Sequence, residues 1–260
     1  MATFLFDEII FGPVRSRRLG VSLGINLLPV NKKMCNFSCI YCECGWTDDY
    51  GKNLSTLPSR EFVYEALDRK LSSMKENNQY PDVITYAGNG EPTLHPQFAG
   101  IIDDSIELRN KYFPDARIAV LSNAANIAKP GIRKALLKTD QNILKLDSAC
   151  DRTIQLHNQP NRLIIARDLI NELKKFNGNL IVQTLFVRGS FQGSIIDNTT
   201  PEELREWLKA IDEIRPSEVM IYTISRDTPD GGNLEKVPLE ELQTIAKMVN
   251  ELGIITQVSG

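Results

Sequence analysis

Four of the five cysteines of this chain lie within ten positions, in the segment KKMCNFSCIYCECGW at residues 32–46. Cys35, Cys39 and Cys42 have the spacing C-x3-C-x2-C, and Cys44 follows two residues later. An odd number of cysteines, most of them in one short loop, is not typical of a disulfide framework. Thiolates at this spacing are ligands for soft metals, so the segment predicts a metal site.

Iron–sulfur and zinc chemistry are the two alternatives for this site. A structural zinc ion takes four ligands, commonly two short pairs separated by about a dozen or more residues. The sequence has no second pair, and Cys44 could serve as a fourth ligand only with a single residue between it and Cys42. Three thiolates on a [4Fe-4S] cluster leave one iron open to a substrate or cofactor. The spacing favours the cluster, with zinc as the alternative.

The elements that position these cysteines follow a repeated strand–helix pattern. Nearly continuous apolar runs, typical of strands buried on both faces, predict strands at 21–28, 82–87, 117–122, 142–147, 180–187, 218–224 and 253–258. Helical spacing predicts helices at 59–76, 97–111, 130–138, 161–176, 201–214 and 238–252. Six strand–helix repeats predict an α/β fold with a parallel sheet, either an open partial barrel or a doubly wound sheet, in a single domain over 1–260.

Short polar segments follow four consecutive strands of this predicted sheet. The cysteines come after the first strand, GNGEPTLHP after the second, SNAAN after the third and DSAC after the fourth. In parallel α/β folds, the loops at the carboxyl ends of the strands carry the chemistry. We therefore expect these four loops to converge on one mouth.

The C-x3-C-x2-C spacing, with Tyr41 just before the third cysteine and GNGEP at the next strand end, resembles the radical S-adenosylmethionine (radical SAM) superfamily. The resemblance implies a partial (β/α)6 barrel of parallel strands with outer helices. It also implies that Cys35, Cys39 and Cys42 hold one [4Fe-4S] cluster whose fourth iron is chelated by S-adenosylmethionine. The cluster then reductively cleaves S-adenosylmethionine to methionine and a 5′-deoxyadenosyl radical, which abstracts hydrogen from a substrate.

The same resemblance assigns cofactor-binding roles to residues at the strand ends. Tyr41 is expected near the adenine, and the segment Gly88, Asn89, Gly90 and Glu91 is expected at the methionine amino group. Asn89 stands where the family carries a glycine. Further candidates are placed against the ribose or the methionine carboxylate: Ser122, Asn123, Lys145 and Asp147.

The segments FGPVRSRRLGVSLGINLLP, AGNGEPTLHP, KLDSA and VQTLFVRG resemble a branch related to wyosine-type tRNA-modification enzymes. Enzymes of that branch hold a second iron–sulfur cluster with cysteines upstream of this motif, and no cysteine precedes Cys35 here. The net charge of −3 lacks the basic field that phosphate recognition needs. A tRNA partner is therefore possible but not favoured.

Several residues outside the cofactor set have a functional and a structural interpretation. Cys150, just past a strand end, is a candidate hydrogen-atom donor to a substrate radical, or a partly buried small residue. Arg15, Arg17 and Arg18 could hold a substrate carboxylate or phosphate, or form a solvated charge cluster. Arg226 and Asp227 are further substrate candidates, whereas Cys44, His95 and His157 are expected to be bystanders or structural.

The bulk composition sets the remaining expectations. The 260 residues are 42% hydrophobic and 24% charged, with no apolar run long enough to span a bilayer, and MATFLFDEII lacks the basic lead of a signal peptide. We expect a cytoplasmic enzyme, not membrane-bound, that uses an electron donor such as flavodoxin or ferredoxin. Its substrate, a peptide, metabolite or nucleoside, is not specified by the sequence. The alternatives are a glycyl-radical-enzyme activase and a non-catalytic iron–sulfur or zinc protein.

Overall fold

The computed structural model describes residues 4–16, 18–47, 57–229 and 232–260. Its strands are β1 (Ile10–Ser16), β2 (Gly20–Ile25), β3 (Val83–Tyr86), β4 (Arg117–Ser122), β5 (Gln141–Lys145), β6 (Ile181–Phe191), β7 (Ser194–Asp197), β8 (Glu218–Thr223), β9 (Gly232–Lys236) and β10 (Ile255–Ser259). Its α-helices are α1 (Arg60–Glu76), α2 (Phe98–Tyr112), α3 (Pro130–Leu136), α4 (Asp151–Asn158), α5 (Ala166–Lys174), α6 (Pro201–Ile214) and α7 (Leu239–Glu251). A short 3-10 helix covers Pro92–Leu94.

The sheet is mostly parallel and its strand order follows the chain. Its order is β1-β2-β3-β4-β5-β6-β8-β10, and every neighbouring pair from β2 to β10 is parallel. The edge strand β1 runs antiparallel to β2, and the short strands β7 and β9 pair antiparallel with the end of β6. A doubly wound sheet reverses its strand order partway, whereas this one does not, so the order is that of an opened barrel. The predicted α/β fold of parallel strands with outer helices is confirmed.

A layer of apolar side chains fills the interior at the amino-terminal end of the strands. One buried residue comes from each of six successive positions around the sheet: Leu19, Val83, Ala119, Ile143, Ile181 and Met220. Layers of this kind make a barrel interior a packed core rather than a pore. The larger core lies between the sheet and the helices, where Trp207 of α6 and Phe98 of α2 are fully buried. The polar loops are therefore left at the opposite, carboxyl-terminal end.

The structure differs from the sequence prediction in several regions, and the strands β1, β7 and β9 were not predicted. The predicted helix at 161–176 begins only at Ala166, and the sequence did not predict α4. Gln159 ends α4 in the left-handed conformation, and the next residues pair with the cysteine loop, where the Asn161 amide donates to the Asn36 carbonyl at 2.9 Å. Tertiary pairing thus overrides the helical spacing. Similarly, β6 extends beyond its predicted end because its last residues pair with β7 and β9.

Candidate functional site

The three motif cysteines lie in one loop that is clamped from two sides. The Met34 amide donates to the Asn89 carbonyl at 2.7 Å, and the Glu91 amide donates back to the Met34 carbonyl at 3.1 Å. Farther along the loop, the amides of Ser38 and Ile40 donate to carbonyls in the last turn of α4. These contacts fix the loop over the carboxyl ends of the strands.

Gly90 permits the closest of these approaches. Its φ is +140°, and a Cβ built on it would lie 1.8 Å from the Met34 carbonyl oxygen. No L-residue with a side chain fits there without moving the backbone. The glycine thus has a packing role that lets the cysteine loop lie directly against the GNGE segment.

The environment of the cysteine sulfurs fits an iron–sulfur cluster. All three thiols are free and face the same pocket, with Cys35 and Cys39 each 7% exposed. The Phe37 amide and the Asn123 side-chain amide donate to Cys35 Sγ at 3.3 and 3.5 Å. Asn158 Nδ2 donates to Cys39 Sγ at 3.6 Å. Hydrogen bonds to cysteine sulfur are a recurring feature of iron–sulfur sites, where they tune the cluster.

The three motif thiols differ in pKa because their electrostatic surroundings differ. Burial raises the pKa of Cys35 to about 12 and also raises the pKa of Cys39. A hydrogen bond from Cys44 and the nearby Lys33 ammonium lower the pKa of Cys42 to about 5. Lys33 is buried, and its Nζ donates to the Gly45 carbonyl at 2.8 Å. A cationic group therefore stands beside the thiolates that a metal cluster requires.

No three His, Cys, Asp or Glu side chains in the described part of the chain converge on a single metal ion. In a [4Fe-4S] cluster each cysteine binds a different iron, so the three sulfurs surround a cube and need not meet at one point. Cys44 differs from the three motif cysteines, because its Sγ donates to the Gly88 carbonyl at 3.6 Å. The donor set thus fits a three-cysteine cluster better than a zinc ion.

The cysteines share a pocket of about 790 Å³, including space open to solvent, with most of the other residues predicted from sequence. Pockets of this size are typical of small-ligand sites. Its walls include Tyr41, Gly88, Gly90, Glu91, Ser122, Asn123 and Lys145. The expectation that the loops after the first strands converge on one mouth is therefore met for these residues.

Glu91 links two strand-end loops through its carboxylate. Its Oε1 accepts hydrogen bonds from the Thr93 amide, the Thr93 hydroxyl and Ser122 Oγ, at 3.1, 2.5 and 2.8 Å. Its Oε2 accepts from the Asn123 amide at 2.7 Å. Burial raises the pKa of Glu91, against the effect of these donors. The side chain is 1% exposed, and its described hydrogen bonds all go to protein groups.

The Asn89 side chain holds the amino-terminal segment. Its Oδ1 accepts from the Phe6 amide at 2.8 Å, and its Nδ2 donates to the carbonyls of Phe6 and Pro29 at 2.8 and 2.9 Å. This side chain is fully buried and does not line the pocket. A glycine at this position could not make these contacts. The departure from the family pattern thus has a structural reason.

A polar network lies behind Tyr41. The Tyr41 hydroxyl donates to Asp147 Oδ2, which also accepts from Asn158 Nδ2 at 2.8 Å. Lys145 Nζ lies 3.5 Å from Asp147 Oδ1 and 3.3 Å from the Tyr222 hydroxyl. Burial opposes the charge of Lys145, but Asp147 and Tyr222 raise its pKa overall. The network fixes the ring of Tyr41 and the ammonium of Lys145 at the pocket wall.

Asn158 and Lys33 were not identified from the sequence. Asn158 closes α4, an element that the sequence pattern did not predict, and it contacts Cys39, Tyr41 and Asp147. Lys33 lies two residues before Cys35, and this proximity to the first cysteine was the one available signal.

The structure does not bring every candidate to the pocket. Cys150 lies at the start of α4 against Glu203 of α6, and it is not among the pocket residues. His95 binds the Pro58 carbonyl at 2.8 Å, as expected for a structural role, and His157 is buried. Arg226 Nη1 pairs with Glu43 at 2.6 Å.

The remaining charged candidates divide by exposure. Arg15 and Asp227 are exposed, whereas Arg18 lines the pocket. Arg17 lies outside the described residues.

Among the elements that the structure describes, no helix combines the length and apolar character needed to cross a membrane.

Two relatives align with most of this chain. GTPase Obg of Brachyspira hyodysenteriae is 32% identical over 224 residues, which cover 84% of this chain but only 30% of that protein. A UPF0026 protein of Methanocaldococcus jannaschii is 27% identical over 248 residues, covering 94% of this chain and 72% of the relative. No protein-family model matches the chain.

Solved structures share the fold at low sequence identity. A radical SAM methyltransferase from Sphaerobacter thermophilus has a TM-score of 0.67 and 12% identity, over 92% of this chain and 65% of that one. Streptococcus suis SuiB bound to S-adenosylmethionine has a TM-score of 0.62 and 16% identity, over 88% of this chain and 49% of that one. Since this chain spans less than two thirds of either protein, the likeness concerns the shared fold. The fold that the predicted resemblance implies is therefore confirmed: this chain shares the fold of solved radical SAM enzymes.

Proposed function

We propose that this protein is a radical SAM enzyme in which Cys35, Cys39 and Cys42 hold one [4Fe-4S] cluster. The observation that carries the proposal is a shared pocket. Three free thiols with donors at their sulfurs open onto the same space as the strand-end segments at 88–91 and 122–123. When bound, the cluster supplies an electron for reductive cleavage of S-adenosylmethionine, which yields a 5′-deoxyadenosyl radical that abstracts hydrogen from the substrate.

The protein's own contribution is to bind and orient S-adenosylmethionine and to exclude water from the pocket. The ring of Tyr41 is fixed by Asp147 and Asn158 and offers a flat surface for the adenine. The buried ammonium of Lys145 offers a cation for the methionine carboxylate or ribose. Backbone carbonyls from Gly88 to Gly90 offer acceptors for the methionine amino group, because each carbonyl oxygen has two lone pairs and that of Asn89 can accept a further donor beside the Met34 amide. The carboxylate of Glu91 is buried and already has four protein donors.

We extend the proposal to the whole of residues 1–260 as one radical SAM domain that accepts an electron from a donor such as flavodoxin or ferredoxin. The substrate is a peptide, a metabolite or a nucleoside. Cys150 contacts Glu203 outside the pocket, so we do not include it in the proposed hydrogen-transfer machinery. A non-catalytic metal protein would not require the pocket that the cysteines share with 88–91 and 122–123.

Anaerobic reconstitution with iron and sulfide, followed by dithionite and S-adenosylmethionine, tests this function directly. We expect 5′-deoxyadenosine and methionine in equal amounts from the wild-type protein. Cys39→Ala should form neither product, whereas Cys150→Ala is the matched control and should form both. A wild-type protein that carries a full cluster and yet forms no 5′-deoxyadenosine would contradict the proposal.

A further inference from the structure

Arg18 contributes a cationic group to the pocket. It lies just before β2, whereas the cysteines follow that strand, and both line the same space. Its guanidinium carbon sits 4.6 Å from the ring centroid of Tyr222 on β8. Its Nη1 is buried and has no hydrogen-bond partner in the described protein. A buried guanidinium nitrogen without an acceptor is costly, so this group favours an incoming acceptor.

The other charged groups of the pocket already have partners. Lys33 donates to the Gly45 carbonyl, and Lys145 lies against Asp147. The carboxylate of Glu91 is surrounded by its four donors. No ion pair joins Arg18 to a carboxylate within residues 4–16, 18–47, 57–229 and 232–260. The pocket lining therefore has more positive than negative charge, although the chain as a whole has a net charge of −3.

A neutral polar group lies beside this cation. Gln183 of β6 is 5% exposed and lines the pocket together with Arg18 and Tyr222. A guanidinium and an amide that face one space suit the two oxygens of a carboxylate, because guanidinium donors match planar oxyanions.

We propose that Arg18 is a specificity-determining residue that binds a carboxylate of a small organic acid, the substrate of this pocket. Gln183 supplies a second donor, and the ring of Tyr222 holds the guanidinium in place. The identification of this acid as the substrate rests on the proposed radical SAM function. Binding of the anion itself does not depend on that function, so the two can be tested apart.

Thermal-shift and calorimetric titrations with succinate, acetate and inorganic phosphate test the inference on the reconstituted protein. Arg18→Gln is compared with Arg15→Gln, which removes the same charge from an exposed position three residues away. We expect saturable binding of a carboxylate probe that weakens about ten- to a hundredfold in Arg18→Gln, the effect of one lost charge-assisted contact. Binding to Arg15→Gln should be unchanged.

The inference is overturned if the wild-type protein shows no saturable carboxylate binding, or if Arg18→Gln binds the carboxylate as tightly as the wild type. It is also overturned if Arg18→Gln and Arg15→Gln weaken carboxylate binding equally. Stronger binding of phosphate than of either carboxylate would likewise overturn it. An equal loss of S-adenosylmethionine affinity in Arg18→Gln would also overturn it, because Arg18 would then hold the cofactor. If Arg18→Gln does not fold, Arg18→Lys is compared with Arg15→Lys, and at least threefold weaker binding is expected. Failure of the proposed function is recognised separately, by the absence of 5′-deoxyadenosine from the wild-type protein.

Discussion

Replacement of Glu91 separates a structural role from a cofactor-binding role. The sequence resemblance places this residue at the methionine amino group, whereas the structure shows both carboxylate oxygens occupied by protein donors. Glu91→Ala removes the acceptor of two buried amide groups, those of Thr93 and Asn123. The hydroxyls of Thr93 and Ser122 can rotate toward other acceptors, but the amides cannot.

The expected loss of stability follows from these two amides. Each buried donor left without an acceptor costs about 1–3 kcal/mol, so Glu91→Ala should lower the free energy of unfolding by about 2–6 kcal/mol. In Glu91→Gln the side-chain carbonyl oxygen can take the position of Oε1 and accept from the same three donors. The side-chain NH2 group then takes the position of Oε2 and faces the Asn123 amide, so that two donors meet and one buried amide has no acceptor. That variant should lose about 1–3 kcal/mol.

Urea unfolding of the metal-free protein, followed by circular dichroism, measures these differences. Glu107 on α2 is exposed, and Glu107→Ala is the matched control, which should change stability by less than about 0.5 kcal/mol. Iron content and S-adenosylmethionine affinity are measured on the same preparations. Because Asn123 also donates to Cys35 Sγ, Glu91→Ala should lose iron together with stability. Wild-type stability and iron content with weakened cofactor binding would refute this reasoning and favour direct contact with the amino group.

Two further predictions concern the cysteine loop, and a third concerns the Asn89 side chain. Alanine at any one of Cys35, Cys39 and Cys42 should abolish a stable cluster, whereas Cys44→Ala should keep iron; the reverse pattern in an iron assay would overturn the ligand assignment. Burial raises the pKa of Cys35 to about 12, so this thiol is protonated at neutral pH and must lose its proton on binding iron. The cluster absorbance reached at fixed iron and sulfide should therefore rise from neutral to alkaline pH, and a falling profile would contradict this. Asn89→Gly should speed amide hydrogen exchange around Phe6 several-fold, because three hydrogen bonds of the side chain are lost; unchanged exchange would show that they do not hold the segment.

Sequence spacing was sufficient to predict a site residue where that residue lies at or near the carboxyl end of a predicted strand. The cysteine loop follows β2, the 88–91 segment follows β3 and Ser122 ends β4, and each of these strands has a clear apolar run. Parallel strands put their carboxyl ends on one side, so the convergence of these loops on one pocket could be predicted without coordinates. The strand–helix alternation likewise predicted a parallel α/β fold.

Side-chain direction could not be predicted in the same way. Asn89 lies within a cofactor-binding motif, yet its side chain turns toward Phe6, since the amino-terminal segment offers backbone partners there. Cys150 follows a strand end but faces Glu203, because α4 begins at the next residue and turns the chain outward. Asn158 reaches Cys39 from 119 residues away, a separation at which local patterns carry no information.

Mössbauer spectroscopy of protein reconstituted with ⁵⁷Fe tests the central claim most directly. Three cysteine ligands on a four-iron cluster predict about four irons per chain, with one iron distinct from the other three. Addition of S-adenosylmethionine should shift the spectrum of that one iron and leave the others unchanged. About eight irons in two distinguishable clusters, or four irons with no response to S-adenosylmethionine, would contradict the account.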